Sequence, residues 1–313
     1  MFSIARPNRA RSHGLMLAAV LSVGILTACG DDDDLTEPVV GRTVSLSFTG
    51  LEPLANGFHY EGWVILNGQP VSTGKFNLTA SGSLVSLSGM PIANGTFTVG
   101  QDVRSSSAVV LTIEPAGDVD AVPADSKLIG GAVTGGAAAM SVGFSGALGN
   151  SFSGVAGNYL LATPTSASTT DELSGIWFMR LVNGTGQAGL TLPVLPAGWV
   201  YEGWAVIGGR PVTTGRFTNG ALADQSAPFS GPMAGPPFPG EDFIRNAPSG
   251  LTFPTSLRGG MAVISIEPQP DDSPAPFAPK PLLGMIAVDA SQHFTYAMSP
   301  NLSSLPTGNA TIR

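Results

Sequence analysis

Cysteine is all but missing from this chain: Cys29 stands alone among 313 residues. No internal disulfide and no cysteine metal cluster can form. Histidine is nearly as scarce, with His13, His59 and His293 alone, and that shortage argues against a zinc site and a resident metal. Basic residues are few, 14 against 22 acidic ones. Such a balance repels phosphate backbones and anionic lipid surfaces, so no nucleic-acid partner is expected. Charged residues make up only 12% of the chain, while glycine (41) and proline (26) are abundant. Both break helical interiors, which disfavours long helices. No heptads and no second long apolar run appear.

What is present begins with a processing signal. Arg6, Arg9 and Arg11 form a basic region, residues 15–25 an apolar one, and Leu26-Thr27-Ala28-Cys29 follows. The apolar run is short for a membrane span and ends in small residues before a cleavage point. The order Leu-Thr-Ala-Cys resembles the bacterial lipobox, which implies cleavage after residue 28 and a lipid on Cys29. Residues 1–28 are then a lipoprotein signal peptide and residues 29–42 an acidic tether opening with Asp31, Asp32, Asp33 and Asp34. The expected location is the cell envelope, outside the cytoplasm, on the periplasmic face or at the outer membrane or cell surface. The membrane is met through lipidated Cys29.

The body of the chain repeats itself. Residues 60–76 read YEGWVILNGQPVSTGKF and residues 201–217 read YEGWAVIGGRPVTTGRF, with ten of 17 positions identical at an offset of 141. A second landmark follows each: VVLTIEP ending at Pro115 and AVISIEP ending at Pro268, at an offset of 153. Two shared landmarks indicate two copies of a whole domain, and the larger second offset indicates an insertion in the second copy, near 221–254. Period-two alternation, as in TVSLSF at 43–48, and an Asn67-Gly68 turn between apolar runs read as strands and a hairpin. Gly208-Gly209 stands at the same turn in the second copy. The expected fold is all-β: two tandem antiparallel β-sandwich-like domains over 43–162 and 172–313. Tyr159 would close the first, a linker (TPTSASTT and Asp171) fills 163–171, and the Pro/Gly-rich insertion is an irregular surface excursion.

These landmarks resemble the extracytoplasmic C-terminal domain of the anti-sigma-K factor family. The matching residues are Tyr60, Trp63, Pro70, Gly74, Phe76, Glu114 and Pro115, and again Tyr201, Trp204, Pro211, Gly215, Phe217, Glu267 and Pro268. The resemblance implies the β fold and an envelope-sensing role. Family members add a sigma-binding domain and a membrane helix that this sequence does not carry, so no direct sigma-factor contact is expected.

The candidate ligand or structural anchors are Tyr60, Glu61, Trp63, Tyr201, Glu202 and Trp204. On a strand Glu61 and Trp63 share a face, and the carboxylate is expected to accept hydrogen bonds near a sheet edge. Trp63 and Trp204 read as core anchors, and Phe58 and Trp199 as an aromatic shelf at a partly exposed loop edge. Paired glutamates would suit glycoside hydrolysis, but one pattern present in both domains is odd for a single cleft. A Ser-His-acid triad would have to draw on His59 or His293, and Ser141 lacks the context of a nucleophile elbow. Asp118, Asp120 and Asp125 suit calcium by oxygen chemistry but read as a solvated acidic turn. No catalytic residue and no cofactor is assigned. The expectation is a non-enzymatic envelope lipoprotein that binds or senses an envelope protein partner. The alternative is a structural or adhesive surface lipoprotein with no specific ligand, and a carbohydrate-active enzyme ranks below both.

Overall fold

The computed structural model describes residues 41–313. Cys29, the leader and nearly all of the tether lie outside the described residues. Among the described residues there is no α-helix, only two 3-10 turns at Ala93–Gly95 and Leu302–Ser304, and no helix is long and apolar enough to cross a membrane.

In chain order the first strands are β1 (Thr43–Thr49), β2 (His59–Leu66), β3 (Gln69–Leu78), β4 (Leu84–Val85) and β5 (Thr96–Thr98). Then come β6 (Ala108–Glu114), β7 (Lys127–Ala132), β8 (Ala137–Ser141), β9 (Ala156–Leu161) and β10 (Gly175–Trp177). The next are β11 (Met179–Val182), β12 (Thr185–Ala188), β13 (Leu190–Thr191), β14 (Trp199–Ile207) and β15 (Arg210–Phe217). The last are β16 (Gly240–Asp242), β17 (Met261–Pro268), β18 (Leu282–Met285), β19 (Tyr296–Pro300) and β20 (Thr307–Ile312). They form two nine-stranded antiparallel sheets. The first runs β4-β3-β2-β6-β7-β8-β20-β1-β5, and the second β15-β14-β17-β18-β19-β9-β10-β16 with β13 also on β9. β11 and β12 make a separate ribbon.

The repeated stretch is the β2–β3 hairpin and its counterpart β14–β15. Asn67 and Gly68 adopt φ of 52° and 77°, and Gly208 and Gly209 φ of 58° and 84°. That is the doubly positive turn whose twist matches paired strands. Each hairpin carries a bulge at the same point: Gly62 pairs Gly74 but Trp63 pairs Ser72, and Gly203 pairs Gly215 but Trp204 pairs Thr213. The extra residues, Thr73 and Thr214, sharpen the local twist. Both sheets curl. In the first, Phe76 of β3 meets Phe97 of β5 at 5.6 Å, from opposite margins.

Two strands cross between the halves. β9, which contains the Tyr159 read as closing the first domain, lies in the second sheet between β10 and β19. β20, the end of the chain, lies in the first sheet between β8 and β1. One hydrophobic cluster runs through both sheets, from Val44, Tyr60 and Phe76 to Tyr201, Phe217 and Phe277. Residues 41–313 therefore form one compact unit. The segment 163–171 is pinned to it, because the Thr165 backbone N–H and hydroxyl donate to Asp242 at 2.7 and 2.5 Å.

Candidate functional site

The anchors from the two repeats belong to one hydrogen-bond network built twice. Trp63 Nε1 donates to Thr112 Oγ1 at 2.9 Å, Thr112 donates to Glu114 Oε1, and that oxygen also accepts the Ala124 N–H at 3.0 Å. In the second half Trp204 Nε1 donates to Ser265 Oγ at 2.7 Å, Ser265 donates to Glu267, and Glu267 accepts the Phe277 N–H at 3.0 Å. Glu61 accepts the Ser72 hydroxyl and lies 3.6 Å from Lys75 Nζ, which reaches on to Asp118 at 2.6 Å. Glu202 accepts Thr213 at 2.5 Å and Arg216 Nε at 2.8 Å, and Arg216 reaches on to Asp271. The hydroxyls of Tyr60 and Tyr201 donate to the carbonyls of Glu52 and Pro193 at 2.9 and 2.8 Å.

All six anchors are buried, and their polar atoms, Glu61 Oε2 excepted, are spent on neighbouring hydroxyls, side chains and carbonyls. Buried polar groups satisfied in this way brace a sheet. Burial pushes the Glu61 carboxyl above its usual range against the opposing pull of Ser72 and Lys75. It pushes Glu267 up to about 8, against hydrogen bonds from Ser265 and the Phe277 N–H. Trp199 departs from the expected exposed shelf: it is buried at 3% exposure and tilted on Phe277 at 6.3 Å. Phe58 is half-buried.

The halves differ around Glu61. His59 stands where the second half has Val200. It is 3% exposed, and its Nε2 is buried without a hydrogen-bond partner. Burial lowers its pKa. His59, Glu61 and Asp118 place one donor atom each within 4.8 Å of the others. Asp120 instead caps the Val122 N–H, and exposed Asp125 stands 3.9 Å from Lys127. The three aspartates of that turn thus do not converge.

The second half adds a cleft of about 310 Å³, lined by Thr165, Trp177, Asp224, Ser226, Ser230 and Phe238 among others. The insertion builds it. Rather than remaining an irregular excursion, residues 240–242 join the sheet as β16 on β10, because their side chains find buried partners. Asp242 accepts Thr165 and, at 2.8 Å, Trp177 Nε1. Glu241 accepts the Ser230 hydroxyl. Asp224 accepts the Gly240 N–H at 2.9 Å, and burial pushes its carboxyl up to about 7. Its placement depends on Gly215 (φ 118°), where a Cβ would come within 2.6 Å of the carboxyl carbon. At the equivalent Gly74 of the first half the neighbour is the ring of Phe97, 2.9 Å from the same hypothetical Cβ. The insertion has exchanged an apolar plug for an acid.

Sequence reasoning missed Asp224, Glu241, Asp242 and Trp177. The signal available was a net insertion confined to one copy and carrying acids in a charge-poor chain. His293 pairs with Glu172 at 3.2 Å beside β9, in the other sheet from Ser141 on β8. No family model matches the chain, and no curated protein or solved structure matches it.

Proposed function

We propose that this chain is a non-enzymatic envelope lipoprotein: two tandem β-sandwich-like domains that have exchanged strands, carried by a lipid on Cys29, with its ligand seat in the cleft of the second half. The observation that carries the reading is the Asp224 carboxyl set over Gly215 where the first half packs Phe97. A neutral acid can donate as well as accept, and it stands among Ser226, Ser230 and Thr165 beside Trp177 and Phe238. That mixture of aromatic edge and paired donors and acceptors suits a small hydroxyl-rich ligand, with an envelope saccharide unit as the matching class. The basic leader, apolar run and Leu-Thr-Ala-Cys support the anchor, and the anti-sigma-like landmarks support an extracytoplasmic sensing role. A hydrolytic reading needs two carboxyls facing one cleft. Asp224 lines it, while Glu241 is turned to Ser230.

The test is saturation-transfer NMR of the Cys29→Ser chain against oligosaccharide fragments of the envelope. Binding that is lost in Asp224→Ala and kept in Glu202→Gln supports the reading. If no fragment binds, or if Asp224→Ala binds equally, the cleft is not the seat and the structural or adhesive lipoprotein takes its place.

A further inference from the structure

The duplicated network offers an internal control, since each half is a reference for the other. Between the copies, two changes around the first glutamate act together. At one, Val200 becomes His59, which adds a nitrogen donor two residues before Glu61 and on its face of the strand. At the other, Arg216 becomes Lys75. The guanidinium is locked by both Glu202 and Asp271. The ammonium of Lys75 is a point charge on a flexible stem, 23% exposed, held at 2.6 Å by Asp118 and only at 3.6 Å by Glu61. One change adds a ligand and the other loosens the cation that occupies the anionic space.

Asp118 comes to the spot from the turn after β6, whose N–H bonds back to the Pro115 carbonyl at 3.2 Å. The buried His59 Nε2 and Glu61 Oε2 both lack hydrogen-bond partners. Two carboxylates against one ammonium leave one negative charge unbalanced, and a divalent ion in the place of the ammonium neutralises both. We propose that His59, Glu61 and Asp118 bind one divalent transition-metal ion of the zinc type, in exchange with the Lys75 ammonium. Imidazole and carboxylate are zinc donors at about 2.0–2.2 Å, so donor atoms in a tetrahedral site lie roughly 3.3–3.6 Å apart. Side-chain rotation of Glu61 and Asp118 supplies the contraction from 4.8 Å once the ammonium swings to solvent. Three protein ligands leave one position for water. The second half, with Val200 and the locked Arg216, has no such site.

The experiment uses the full chain carrying Cys29→Ser, so that the lone thiol takes no metal. Chelator-stripped protein is titrated with zinc chloride by calorimetry and with cobalt chloride by visible absorption. One ion per chain is expected, with a cobalt band of low-symmetry nitrogen and oxygen ligation. His59→Val copies the residue that the second half folds with, and should weaken zinc by about tenfold or more and abolish the band. Lys75→Arg restores the second half's lock and should also weaken binding, while Glu202→Gln should leave it unchanged. If His59→Val fails to fold, Asp118→Asn replaces it. No uptake by the parent chain, or equal uptake by His59→Val, overturns the proposal, the latter assigning the ion to acidic groups elsewhere.

Discussion

At the scale of the residue, the stability of this protein leans on hydroxyls that each serve two partners. Ser265 accepts the Trp204 N–H and donates its own hydroxyl to Glu267, as Thr112 does between Trp63 and Glu114. Ser265→Ala strands the buried Trp204 N–H and leaves the buried Glu267 with the Phe277 N–H alone, and should cost about 1–3 kcal/mol in urea unfolding. The raised carboxyls set a pH dependence. Burial pushes the carboxyls of Asp224 and Glu241 up to about 7 and that of Glu267 up to about 8. The native state therefore holds protons that the unfolded chain releases at lower pH, so the stability these groups contribute is full below their unfolded values and is lost as pH rises through 7 to 8. His59 acts in the opposite sense, but its shift is downward from 6.5. Above that pH it is neutral in both states. The stabilisation by these carboxyls should thus fall as pH rises from about 4 to about 8, with His59 offsetting part of the fall below 6.5, and Asp224→Asn should remove the part of the melting-temperature decline that is complete near 7.

At the scale of the element, the hairpins were legible and the exchanged strands were not. Asn67-Gly68 and Gly208-Gly209 dictate positive φ locally, so a few residues suffice to predict β2–β3 and β14–β15. Trp63 and Trp204 read as core anchors and are buried, but β2 is buried on both faces from His59 to Val64, so its period marks no core side. By contrast β20 reads TGNATI, small and weakly patterned. Its place between β8 and β1 is set by partners far away in sequence, about which local propensity is silent. The three residues of β16, Gly-Glu-Asp, look like a turn and become strand only because Ser230, Thr165 and Trp177 satisfy their acids after folding. The importance of β20 can be measured. Removing residues 307–313 takes a central strand from the first sheet and bares β1 and β8. Loss of the cooperative thermal transition is expected, with limited proteolysis cutting first within residues 43–155.

At the scale of the whole molecule, duplication has produced two sheets with one core. Because β9 and β20 are exchanged and the hydrophobic cluster is continuous, neither half is a complete folding unit. Contacts across the halves add to this: Asp272 accepts the Ala55 N–H at 2.8 Å, and Glu52 accepts the Ala278 N–H at 3.1 Å. Residues 43–162 and 172–313 expressed separately should each give poorly dispersed amide NMR spectra, and well-dispersed spectra from either fragment alone would refute the interlock. The exchange also brings the two ends of the described chain together. Thr43 and Arg313 share a reciprocal pair of backbone hydrogen bonds at 3.0 and 2.9 Å, at one corner of the first sheet. Under tension the corner matters more than the strand count. A load applied across residues 43 and 313 opens β1 from β20 one rung at a time, the weakest mode for an antiparallel pair. A load from residue 43 to a point deep in the second sheet must shear many rungs at once. The same protein would yield early when stretched by its ends and hold firm when hung from its first strand.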